Sequence, residues 1–134
     1  MHKPTLKLQA FAALALLMPW FVHAAGLGKL TVTSALGQPL AAQIELVSVN
    51  REELNSLAAR LASVDAYREA NLQYQPALNS VRFSVEQRQG GQPYIRLTST
   101  RPINEPVVDL LVELAWANGR ISRAYTALID PAGY

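Results

Sequence analysis

The 134-residue chain has no cysteine, three phenylalanines, seven glycines and a formal net charge of only +2. Without cysteine it is neither a disulfide-stapled scaffold nor a thiolate metal module, and it has no thiol nucleophile. A net charge this small also argues against a disordered tail, as does the 50% apolar content. The length suits one modest domain.

What is present is unevenly placed. Lys3 and Lys7 precede an apolar run from Ala10 to Val22, which ends in Val22-His23-Ala24. A charged start, a short apolar core and a small-residue exit make a secretory signal peptide over residues 1–24, with the cut after Ala24. The run is too short to span a bilayer comfortably, and Pro19 breaks it. No later stretch is long and apolar enough to cross one. Lys3 and Lys7 are two of the twelve basic side chains, so ten remain beyond residue 24 against ten acidic ones. The mature net charge is therefore zero. The basic pI of about 9.2 reports the leader, not a nucleic-acid surface. His2, His23, Met1 and Met18 also fall within the leader, and Lys29 is the one lysine after it. Ser-His-Asp and Cys-His sites are excluded, and zinc, copper and haem lose their usual ligands. A Schiff-base or Ser-Lys mechanism would have to use Lys29. No catalytic residue, cofactor or metal is expected.

Residues 29–34 alternate, with Leu30 and Val32 on one face, and read as a strand. Gly37 and Pro39 punctuate a loop. Ala42, Ile44 and Leu46 alternate with Gln43 and Glu45 in a second strand. Asn50 with Glu53 forms a capping box, and Leu54, Leu57 and Leu61 continue at i, i+3, i+7, which predicts a helix. Ser63 caps a second short helix anchored by Tyr67, and Pro76 closes the helical insert of about residues 50–71. Val81, Phe83 and Val85 form a strand, as do Ile95 and Leu97. A three-residue loop, Gln89-Gly90-Gly91, pairs Val85 with Ile95 and Phe83 with Leu97, with glycine in the left-handed position. Asn118-Gly119 predicts a type I′ turn that sets Trp116 opposite Ile121, Val112 opposite Tyr125 and Val108 opposite Ile129. About six strands and a short helical insert predict a mainly β fold, a small antiparallel Ig-like β-sandwich over residues 25–131. Residues 132–134 are an end or the start of a linker.

Several runs carry a family resemblance. Gly28-Lys-Leu-Thr-Val-Thr-Ser-Ala-Leu-Gly-Gln-Pro-Leu-Ala-Ala-Gln-Ile-Glu-Leu46 resembles the start of the N-terminal periplasmic domain of FimV-type pilus-assembly and polar hub proteins. So do Leu61-Ala-Ser-Val-Asp-Ala-Tyr67, Ser99-Thr-Arg-Pro-Ile-Asn-Glu-Pro106, Leu111-Val-Glu-Leu-Ala-Trp116, Asn118-Gly-Arg120 and Tyr125-Thr-Ala-Leu-Ile-Asp-Pro131. The resemblance covers residues 26–131. It implies a role in type IV pilus assembly, twitching motility and cell-pole organisation. It also implies a periplasmic location, on the periplasmic face of the inner membrane in a full-length relative, and protein partners in the pilus, secretion or envelope machinery. Such relatives bind peptidoglycan through a LysM module, which this sequence lacks along with a membrane span and an acidic tail. The chain is thus expected to be a fragment or a free-standing first domain. No nucleic-acid partner is expected.

The candidate sites each have a plainer reading. Arg88, Arg96, Arg101, Arg120 and Arg123 near the hairpins could bind an anionic partner. They could equally be solvated arginines balanced by carboxylates, and such surface pairs are common and weak. Glu105, Asp109 and Glu113 recur every four residues, so a strand would put them on one face. Paired carboxylates could hydrolyse cell-wall glycan, or they are simply the polar side of a strand. Trp116 and Tyr125 could stack on sugars, although the apolar face of a hairpin favours a core role. Arg123 shares that face and either lies at the rim or binds a carboxylate. Leu30–Thr33 or Arg120–Ile129 could accept a partner strand in the manner of a fimbrial chaperone, if either lies at an edge. The leading expectation is a non-enzymatic interaction or scaffold domain.

Overall fold

The computed structural model describes residues 25–132. The expected signal peptide lies outside the described residues. Seven strands form two antiparallel sheets. They are β1 (Gly26–Val32), β2 (Pro39–Val47), β3 (Ala58–Leu61), β4 (Val81–Gln87), β5 (Pro93–Pro102), β6 (Val107–Trp116) and β7 (Gly119–Leu128). One sheet runs β1-β2-β5-β4 and the other β3-β6-β7. The fold is the mainly β sandwich expected from the alternating runs.

The alternation sets what lies between the sheets. Ala42, Ile44 and Leu46 of β2, with Ile95 and Leu97 of β5, face Leu110, Val112 and Leu114 of β6 and Ala127 of β7, all buried in one continuous core. Burying such side chains stabilises a fold by roughly 1.5–3 kcal/mol each, and this is the chief support for a domain without cross-links. The β4–β5 hairpin has the expected register, Phe83 opposite Leu97 and Val85 opposite Ile95. Gly90 takes φ +78° in its loop, where other residues would be strained.

Two expectations are corrected. The last hairpin is shifted by two residues: Leu114 faces Ile121, Val112 faces Arg123, Leu110 faces Tyr125 and Trp116 faces Gly119. The turn is Ala117-Asn118, and Gly119 belongs to the ladder. The observed register needs a glycine there, because a Cβ on Gly119 would lie 2.7 Å from Cζ2 of Trp116. The glycine makes room for the indole. A two-residue shift keeps every side chain on its expected face, so the core reading survives it.

The insert is also only partly helical. Helix α1 (Arg51–Leu54) has the expected capping box, Asn50 with Glu53, but ends after one turn. The chain then enters β3, which pairs with β6 from Ala58↔Ala115 to Leu61↔Val112. Leu57, Ala59 and Leu61 satisfy a period of two as well as the helical stripe does. The unpaired edge of β6 decides between them, since a short helix gains little from each further turn. Helix α2 (Val64–Glu69) is capped by Ser63. It ends in a Schellman turn: Asn71 takes φ +57°, the Leu72 amide bonds the Tyr67 carbonyl and the Asn71 amide bonds that of Arg68. Its anchor, Tyr67, is 1% exposed. A 3₁₀ helix, Pro76–Ser80, leads into β4.

Candidate functional site

Alternation on β4 and β5 turns Glu86, Tyr94 and Arg96 outward, and the register sets Glu86 directly opposite Tyr94. A tyrosine there would stand in water, yet Tyr94 is only 7% exposed. Its neighbours cover it. The Arg88 guanidinium lies 4.4 Å from the ring centroid and donates to Oε1 of Gln43 on β2. Arg96 pairs with Glu86 at 3.2 Å and donates to the Tyr94 hydroxyl at 3.2 Å. That hydroxyl in turn donates to Glu86, as does Ser84. The bond to Tyr94, and then the charge of Glu86, hold the Arg96 pKa above its ordinary value. Arg88 and Arg96 thus belong to one polar cluster on the outer face of the four-stranded sheet. Gln43, Glu86 and Tyr94 complete it, though none of them was singled out from sequence. The predicted β4–β5 register already placed Glu86 against Tyr94, and that was the available signal.

The other arginines lie elsewhere. Arg120 stands on the outer face of the second sheet, 3.7 Å from Glu113, which Arg60 of β3 also holds at 2.7 Å. Arg123 and Tyr125 reach across from β7 to β1. Arg123 donates to the carbonyls of Leu27 and Gly28 at 2.8 and 3.2 Å, and the Tyr125 hydroxyl donates to Gly28 at 2.7 Å. These carbonyls lie where β1 slips register between Leu27 and Leu30. A bulge disrupts the ladder locally and leaves such groups in need of partners. Burial raises the Tyr125 pKa, and Arg123 opposes that shift. The sequence left Arg123 between a rim and a carboxylate ligand, and the geometry gives it backbone carbonyls. Trp116 is half-buried against the core, and Tyr125 is buried.

Of the three carboxylates, Asp109 and Glu113 share one face of β6 as expected, and Glu105 does not. Glu105 precedes β6, while Asp109 and Glu113 lie within it. Glu113 is held by two arginines, and Glu105 lines a separate cleft with Arg82 and Arg101. Among the described residues no group of three or more acidic, histidine or cysteine side chains could hold a metal ion.

Both strands named for strand addition are edges. β1 ends one sheet and β7 the other. They face each other, bridged by Arg123 and Tyr125 and by the Leu36 amide bonding the Asp130 carbonyl at 2.7 Å. The opposite edges, β3 and β4, flank a groove of about 530 Å³ lined by Leu54, Leu57, Ala59, Phe83 and Val85.

Residues 25–132 match the FimV N-terminal domain, an Ig-like domain. Two curated relatives, the motility hub proteins FimV of Pseudomonas aeruginosa strains PAO1 and UCBPP-PA14, are each 37% identical over 126 residues. The match covers 94% of this chain and 14% of each relative, so the chain spans about one seventh of their length. No solved structure matches it.

Proposed function

The chain belongs to the family of FimV N-terminal, Ig-like domains, and from that premise we propose that it is a non-enzymatic interaction domain serving pilus-dependent motility from the periplasm. The observation that carries this reading is the 37% identity to motility hub proteins along 94% of the chain. The chemistry agrees with it. The outward charged side chains of the Tyr94 cluster and of Glu113 are engaged with one another, an arrangement that shapes a rigid surface. Proteins that dock on such a surface, drawn from pilus, secretion or envelope machinery, are its proposed partners.

The test is genetic and biochemical together. Deleting residues 25–132 in frame in the source cell should reduce surface twitching, and fractionation should place the chain in the periplasm or at the membrane facing it. The purified chain should release no product from cell-wall glycan. Unchanged twitching would overturn the motility reading, and glycan release would overturn the non-enzymatic one.

A further inference from the structure

Backbone amides and carbonyls that no strand claims gather at sheet edges, and folded proteins usually blunt those edges. Three of the four edges here are blunted. β1 slips register and is bridged to β7 by Arg123 and Tyr125, which occupies both of those edges. β3 is only four residues long. β4 differs. It runs seven residues, Val81–Gln87, in unbroken register with β5, and it contains no proline, glycine or lysine. In its hairpin the Arg88 amide bonds the Gln92 carbonyl, so alternation gives the bonds to β5 to Arg82, Ser84 and Glu86. The amides and carbonyls of Phe83 and Val85 therefore point away from β5, and no backbone partner holds them among the described residues. Both side chains are half-buried on the inner face, where they line the groove with Leu57 and Ala59.

The outward side chains of β4 say what fits this edge. Arg60, Arg68, Arg96 and Arg120 have carboxylate partners, whereas Arg82 has no ion pair among the described residues. Ser84 lies midway between Arg82 and Glu86. When two copies of β4 lie antiparallel about a two-fold axis at Ser84, Arg82 of each copy stands opposite Glu86 of the other. Phe83 then stands opposite Val85 in both halves, and their free amides and carbonyls meet in reciprocal hydrogen bonds. Moving the axis to Val85 would instead oppose Arg82 and Arg88, two like charges. The strand is thus complementary to itself in one register. We propose that β4 pairs with β4 of a second copy of this chain, joining two four-stranded sheets edge to edge. One strand pair buries less than the roughly 1,200 Å² of a stable interface, so the dimer is weak, with a Kd on the order of 0.1–1 mM. This inference does not rest on the motility reading.

Sedimentation of the purified chain from roughly 10 μM to 2 mM tests it, and the mean mass should rise toward that of a dimer. Amide hydrogen exchange then reports the surface. At the high concentration the Phe83 and Val85 amides should slow several-fold, while those of Arg82, Ser84 and Glu86, already bonded to β5, should not change. Arg82→Glu and Glu86→Arg should each weaken self-association roughly tenfold by setting like charges opposite one another. An equimolar mixture of the two variants should restore it, because every charge then meets its opposite. A mass that stays monomeric, or a dimer in which Phe83 and Val85 exchange as before, would overturn the proposal. So would slowing that requires an added envelope protein in place of a second copy. Arg82→Glu associating as tightly as the wild type would overturn the register. The wild-type mass and exchange decide the matter even if Glu86→Arg, which disturbs the Tyr94 cluster, fails to fold.

Discussion

Tyr67 does two jobs with one hydroxyl. It accepts from the Leu111 amide at 2.8 Å and donates to the Asp109 carbonyl at 3.0 Å. It thereby takes over the edge of β6 where the ladder from β3 stops. Tyr67→Phe should cost about 2 kcal/mol, because two backbone groups lose their partner. A lower urea midpoint with an unchanged slope would show it. Tyr74→Phe, whose hydroxyl meets Asn79 at the surface, should cost less than about 0.5 kcal/mol. Burial pushes the Tyr67 phenol from 10.0 up to about 12. The unfolded chain thus loses this proton first as pH rises. Stability should be full below pH 10 and decline between about 10 and 12, and pH titration of the urea midpoint should show a flatter decline in Tyr67→Phe. Tyr67 was legible in the sequence as an anchor after a Ser63 cap. Its hydrogen bonds to β6 were not, since they depend on a pairing 44 residues away.

Elements were legible wherever one period stood alone. Ala42, Ile44 and Leu46 admit no helical reading, and their strand was correctly assigned. Leu57, Ala59 and Leu61 fit both periods, and only the waiting edge of β6 decides. Asn118-Gly119 looks like a hairpin turn from local chemistry, but the Trp116 ring claims the glycine. Gly119→Ala should therefore cost about 2 kcal/mol through overpacking, with a changed near-ultraviolet signal from Trp116. A glycine needed only for a turn would leave that signal alone. Of the candidate arginines, the sequence supplied the identities and not the grouping. Arg88 and Arg96 converge on Tyr94 because β2, β4 and β5 lie side by side, and Arg120 and Arg123 part because successive strand positions distribute across two faces and an edge.

For the whole molecule, one core spans both sheets and no second cluster exists among the described residues for a part to unfold around. Heat unfolding should accordingly be a single transition with matching calorimetric and van't Hoff enthalpies, unmoved by reductant. A split transition would show that the β3 insert unfolds separately. The seam between β1 and β7 has a mechanical meaning. Leu27 and Gly28 meet Arg123 and Tyr125, and further along Leu36 meets Asp130, so the first and last strands run in the same direction. Tension pulling residue 25 away from residue 132 would slide these strands past each other and load all of the bridging bonds at once. Such a joint yields at a higher force than one that peels bond by bond, and the rate of its rupture would depend on two side chains, Arg123 and Tyr125.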